Sequence, residues 1–108
     1  MRPSKNVELM KALAVEIKAR RGELGLTQEA LATTIDIDRP YVTLIEGARK
    51  QPTLSVIWRL ASGLELKPEE FVRRVDARLV TASSALATGV RATIIDKPIK
   101  APRIELKR

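Results

Sequence analysis

The chain contains no cysteine and no histidine. Those two absences exclude disulfide staples, thiolate nucleophiles, Cys/His zinc sites and the commonest general base of enzymes. Aromatics are almost as scarce: one Trp, one Tyr and one Phe in 108 residues leave no stacking platform for single-stranded nucleic acid. No apolar run approaches the roughly 18–20 residues that a membrane span needs, and no secretory signal opens the chain. A cytoplasmic protein with no membrane partner is therefore expected. No glycine-rich phosphate loop is present, and the acidic residues are scattered over helix surfaces and caps. Neither catalysis nor a bound metal or cofactor is expected from such a set. What the chain has in excess is positive charge: 20 Lys and Arg against 13 Asp and Glu, a net +7 and an isoelectric point near 10.3. A small basic protein with few aromatics points to a duplex backbone as partner.

Composition divides the chain near residue 83. Residues 1–83 hold 14 basic and 11 acidic side chains, whereas residues 84–108 hold 6 and 2, so over half of the net charge lies in the last quarter. The first part is dense in helix formers. The last part carries Gly89, Pro98, Pro102 and β-branched residues, and reads as an extended tail in which prolines confine any short strand to an edge. The expected architecture is all-α: a five-helix domain over residues 1–83 followed by a basic tail over 84–108.

Punctuation and period place the helices. The first runs from about Asn6 to Glu23, opened by Ser4 and closed by Gly25, with Leu9, Leu13 and Ile17 as its buried stripe. Thr27 caps a second from Gln28 to about Thr34, with Leu31 and Ala32 inward. Asp38 caps a third from Arg39 to about Glu46, where Pro40 is tolerated in the first turn. Thr53 caps a fourth from Leu54 to Ser62, and Pro68 opens a fifth that reaches about Leu79 or a few residues beyond. The second and third helices lie within about one turn of each other. Ala32 is small where they approach, and Val42 and Ile45 pin the third helix to the second. A short buried helix, a tight turn and a helix with a polar outer face make a helix-turn-helix by physical criteria.

The wider pattern is more specific. Leu24-Gly-Leu-Thr-Gln-Glu-Ala-Leu-Ala, Tyr41-Val-Thr-Leu-Ile-Glu-Gly, Pro52-Thr-Leu, Leu60-Ala and Leu64 together resemble the phage-repressor and Cro-like helix-turn-helix family, often called XRE. The resemblance covers about residues 13–75. It implies a five-helix repressor-like domain, usually dimeric, that binds an inverted-repeat operator and regulates transcription. Two positions depart from the family pattern, Asp36 in the turn and Ala48 after the third helix, where glycine is usual. Asp tolerates the left-handed region; at the second position Gly47 is expected to take over the irregular backbone.

The resemblance also implies roles. Arg39, Pro40, Thr43 and Leu44 lie on the outer face of the third helix, and in the family these positions point at base edges. Arg39 fits guanine O6 and N7 together, while Pro40 and Leu44 suit thymine methyls or sugar. Arg39 has alternatives, a phosphate contact or a bridge to Asp36 or Asp38. Gln28 is expected on a phosphate at a helix N-terminus, the alternative being a solvated amide that caps its own helix. Tyr41, Arg49 and Lys50 complete the backbone-contact candidates. Arg21 and Glu46 are expected to pair across the first and third helices and to orient the third. Trp58, Phe71, Val72 and Val75 read as core or dimer surface.

The function expected is a sequence-specific, double-stranded-DNA-binding transcriptional regulator, a repressor acting as a homodimer. The competing reading is an antitoxin-type DNA-binding protein whose residues 84–108 hold a protein partner.

Overall fold

The structure, a computed structural model, describes residues 6–87, with side chains described as far as residue 81. Among these residues five helices and no strand form. Residues 84–87, expected to open the extended tail, continue α5 instead; the rest of the tail with its strands, and the Ser4 cap, fall outside the described residues. The chain divides into two units, Met1–Asp76 and Ala77–Arg108, and every contact considered below lies within the first.

Helix α1 (Val7–Leu24) opens at Asn6, whose side chain accepts from the Leu9 amide, and closes on Gly25 in the left-handed region at φ 70°. Two of its expected details change. Leu9 is exposed, and Met10 takes its place beside Leu13, Ala14 and Ile17 in the core. Leu13 and Ile17 keep their expected places, and Glu16 is buried on the same helix, its carboxylate meeting Arg74 at 3.4 Å. Helices α2 (Gln28–Ile35) and α3 (Arg39–Glu46) follow, joined by Asp36, Ile37 and Asp38. The Thr27 hydroxyl caps α2 through the Ala30 amide. Asp38 occupies the cap position of α3 but makes no side-chain capping bond. Helix α4 (Leu54–Gly63) is capped by Thr53, and α5 (Pro68–Ala87) extends well past Leu79 and past residue 83.

The core is built from Ile17 of α1, Leu31 of α2, Val42 and Ile45 of α3, Leu60 of α4, Leu64 and Phe71, all essentially inaccessible. Each such side chain contributes roughly 1.5–3 kcal/mol by burial. α3 therefore sits on a floor made by α1 and α2, and its depth is set by Val42 and Ile45. The α4 backbone approaches α2 closely at Gly63. A Cβ there would lie 2.8 Å from Leu31 Cδ1 and nearer still to Ile35 Cγ2. At the end of α4 the Leu64 carbonyl accepts from the Arg20 guanidinium at 2.9 Å, which satisfies a group the helix leaves unpaired.

Among the described residues three non-glycine residues adopt positive φ: Asp36 at 57°, Ala48 at 57° and Glu65 at 60°. Asp36 behaves as expected. Gly47 does not take over the irregular backbone after α3; it stays at φ −94°, and Ala48 itself enters the left-handed region. The reason lies in hydrogen bonding. With Ala48 turned, the Ala48 amide reaches the Ile45 carbonyl and the Arg49 amide reaches the Leu44 carbonyl at 2.8 Å, closing the helix end.

Candidate nucleic-acid interface

The candidate site is the outer face of α3 and the loop behind it. Residues at i, i+1, i+4 and i+5 share one side of a helix, and α3 presents Arg39, Pro40, Thr43 and Leu44 to solvent in that register. Val42, Ile45 and Glu46 take the opposite, buried side. The eight-residue helix is thus cleanly two-faced, with no outward side chain drawn into the core.

What holds that face in place is a carboxylate. Glu46 is buried at 4% exposure, and the Arg21 guanidinium grips it with two parallel bonds of 2.7 and 2.8 Å. Arg21 also donates to the Leu26 carbonyl at 2.9 Å, so one side chain ties α1, the loop before α2 and α3 together. Hydrogen bonding by Glu46 raises Arg21 above its ordinary pKa, against the opposing effect of burial. The expected pair is present, and it acts on orientation, since it fixes the C-terminal turn of α3 to the first helix.

Gln28 is held by two neighbours on α3, which sets aside the alternative of a solvated amide capping its own helix. Its amide N–H donates to Glu46 Oε1 at 3.0 Å, and its carbonyl oxygen accepts from the Thr43 hydroxyl at 2.9 Å. It neither caps α2 nor stands free; it joins α2 to α3 beside the exposed face. Thr43 has a second acceptor within reach, the Arg39 carbonyl at 3.1 Å. Arg39 itself forms no side-chain hydrogen bond or ion pair among the described residues, and neither Asp36 nor Asp38 holds it. Its five donors face solvent.

Residues 17–71, half of the chain, match the helix-turn-helix family profile. The chain belongs to the helix-turn-helix family. Its members are DNA-binding transcriptional regulators, not enzymes. Over 74 residues the chain is 34% identical to the HTH-type transcriptional regulator PrpR of Mycobacterium tuberculosis, covering 68% of this chain but only 15% of that protein's length. Among solved structures it is similar to the restriction-modification controller protein C.Esp1396I, seen as a tetramer with its natural 35 base-pair operator. There the identity is 29%, the TM-score 0.63, and the alignment spans 67% of this chain and 95% of the other. It is also similar to the controller protein C.AhdI from Aeromonas hydrophila, at 31% identity and TM-score 0.55 over 57% of this chain and 94% of that one.

Around the helix-turn-helix, the remaining candidates gather at one end of α3. Tyr41 is half-buried, and the Lys50 ammonium lies 5.5 Å from its ring centre, a cation–π distance. Arg49 and Lys50 are both exposed in the loop after α3. Gln51, next in sequence, accepts from the Asn6 backbone amide at 2.9 Å, which ties this loop to the start of α1. One contributor was not anticipated. The Arg59 guanidinium of α4 lies 3.4 Å from the Asp36 carbonyl, next to the helix-turn-helix connection. No helix among the described residues is long and apolar enough to cross a membrane.

Proposed function

We propose that this chain is a sequence-specific regulator that binds double-stranded DNA as a homodimer on an inverted-repeat operator and represses transcription by occupying it. One observation carries the reading. α3 exposes a donor fork, a hydroxyl and two apolar side chains in one register, while its other side is locked by Glu46. In this reading Arg39, Pro40, Thr43 and Leu44 meet base edges in the major groove. Tyr41, Arg49 and Lys50 meet backbone, and Gln28 offers a phosphate the second N–H of its amide. C.Esp1396I, a tetramer in complex with its operator, supports the DNA partner and an assembly of more than one subunit.

Homodimerisation is supported by apolar surface away from α3. Leu54 and Trp58, one turn apart on α4, and Val72 on α5 are 69%, 51% and 49% exposed. Trp58 and Val72 are thus surface residues, while Phe71 and Val75 belong to the core. Leu54 and Val72 line one apolar groove with Leu9 and Ile57, and exposed side chains of this size suit a two-fold interface. Residues 1–83 would carry the DNA and this interface, and residues 84–108 a further protein contact, in a cytoplasmic protein.

The test is nuclease protection of the DNA upstream of the protein's own gene, with the full chain and with residues 84–108 removed. Protection of two half-sites related by a two-fold axis is the expected result. A uniform, sequence-independent protection would refute the reading.

A further inference from the structure

We infer that Thr43 reads an exocyclic amino group, the N6 amine of adenine or the N4 amine of cytosine, because the fold has spent its hydroxyl hydrogen. This rests on the DNA-reading function proposed above and adds the chemistry of one base position to it.

The argument runs along a chain of obligatory donors and acceptors. Glu46 as a carboxylate only accepts, and both its oxygens already take the Arg21 fork. The Gln28 atom that faces Glu46 at 3.0 Å must therefore be the amide nitrogen. That fixes the other end of the amide: an oxygen faces Thr43. An amide oxygen only accepts, so at 2.9 Å the Thr43 hydroxyl must donate. The other polar neighbour of Thr43, the Arg39 carbonyl at 3.1 Å, also only accepts. Whichever of the two takes the single hydrogen, the exposed Thr43 oxygen turns only lone pairs to solvent.

A free threonine is ambidextrous and accepts or donates to any base edge. This one is not. In the major groove the donors are the amino groups of adenine and cytosine, while guanine O6 and N7 and thymine O4 are acceptors. Thr43 is thereby matched to the first pair and mismatched to the second. Arg39, one turn earlier and about 6 Å away along the helix axis, has the opposite polarity. The face reads an acceptor with Arg39 and a donor with Thr43, and the polarity of Thr43 is set by two acceptors that never touch the base, the Arg39 carbonyl and the Gln28 amide oxygen that Glu46 orients.

The experiment measures binding of the full chain to its protected half-site and to duplexes in which single amino groups are deleted. Purine replaces adenine and 2-pyrimidinone replaces cytosine, one position at a time. At one position per half-site the unaltered protein should lose about three- to tenfold in affinity, the span of one neutral hydrogen bond. Which analogue gives the loss identifies adenine or cytosine. Thr43→Val, which removes the hydroxyl and keeps the shape, should bind the parent and analogue duplexes equally; Thr43→Ser should retain the discrimination. Indifference of the unaltered protein to every amino deletion overturns the inference, as does a Thr43→Val protein that still discriminates. In both cases an Arg39→Ala protein that loses sequence preference leaves the DNA-reading function standing. Absence of any preferred duplex overturns both.

Discussion

Removing Arg21 tests whether the buried carboxylate organises the site. In Arg21→Met, Glu46 keeps a single partner, the Gln28 amide, and the Leu26 carbonyl loses its donor as well. Glu46 is only 4% exposed, so water does not replace the lost guanidinium. Stranding one member of a buried pair in this way costs about 3–5 kcal/mol. A domain of this size has a total stability of roughly 4–12 kcal/mol, so the loss is a large fraction of the whole. With a urea slope of about 1–3 kcal/mol per molar, the unfolding midpoint should fall by at least ~1 M in the absence of DNA. Arg21→Met combined with Glu46→Leu should recover much of the difference, because an apolar pair of similar volume carries no desolvation cost. A single variant whose midpoint is unchanged but whose DNA binding is impaired would refute the reasoning and place Arg21 among the contact residues.

Arg39→Ala should lower affinity for the matched duplex by about 1–3 kcal/mol and relax preference at one base pair per half-site, whereas Lys50→Ala should weaken all duplexes alike and make the salt dependence shallower; comparing matched and scrambled duplexes at several salt concentrations checks both. Ala48→Gly should raise Tm by a few degrees, since a left-handed alanine costs about 1–2 kcal/mol and glycine gives back only part of that through the unfolded chain. Burial pushes the Glu70 carboxyl up, but hydrogen bonds from Arg73 and Arg74 outweigh it and hold it below its ordinary value. Its contribution is then fully present above the ordinary glutamate range and lost as pH falls through the folded value, so a Tm series from roughly pH 6 downward should be shallower for Glu70→Gln.

Local chemistry was the legible part of this protein. Thr27, Thr53 and Gly25 act within one helical turn of themselves, and each terminates its helix as the sequence suggests. The outer face of α3 follows from a register of four residues and is equally local. What escaped were choices settled across the fold. Whether Leu9 or Met10 faces inward depends on what packs against α1 from the rest of the fold, and the burial of Glu16 depends on Arg74, 58 positions away. The bonds of Gln28 to Glu46 and Thr43 were not legible because both partners come from another helix. The position of Ala48 was misjudged for a different reason. Gly47 is the better left-handed residue, but the carbonyls of Leu44 and Ile45 set which amides must turn, and backbone geometry overrode side-chain preference.

The contact at Gly63 has a consequence for how this chain tolerates variation. Among the described residues two glycines lie within helices, and their surroundings are opposite. A methyl group at Gly22 would meet nothing within 4 Å, while one at Gly63 would drive into Leu31 and Ile35. Gly22 is replaceable, and alanine there should stabilise α1 by about 0.5–1 kcal/mol. Gly63→Ala should instead cost about 1–3 kcal/mol by overpacking, because the neighbours it strikes are themselves core residues of the helix that supports α3. In a saturation library selected for folded protein, alanine should accumulate at position 22 and position 63 should return to glycine alone. The outer surfaces of the helix-turn-helix are then free of this contact, while its footing on α4 at position 63 is held to glycine by the closeness of Leu31 and Ile35.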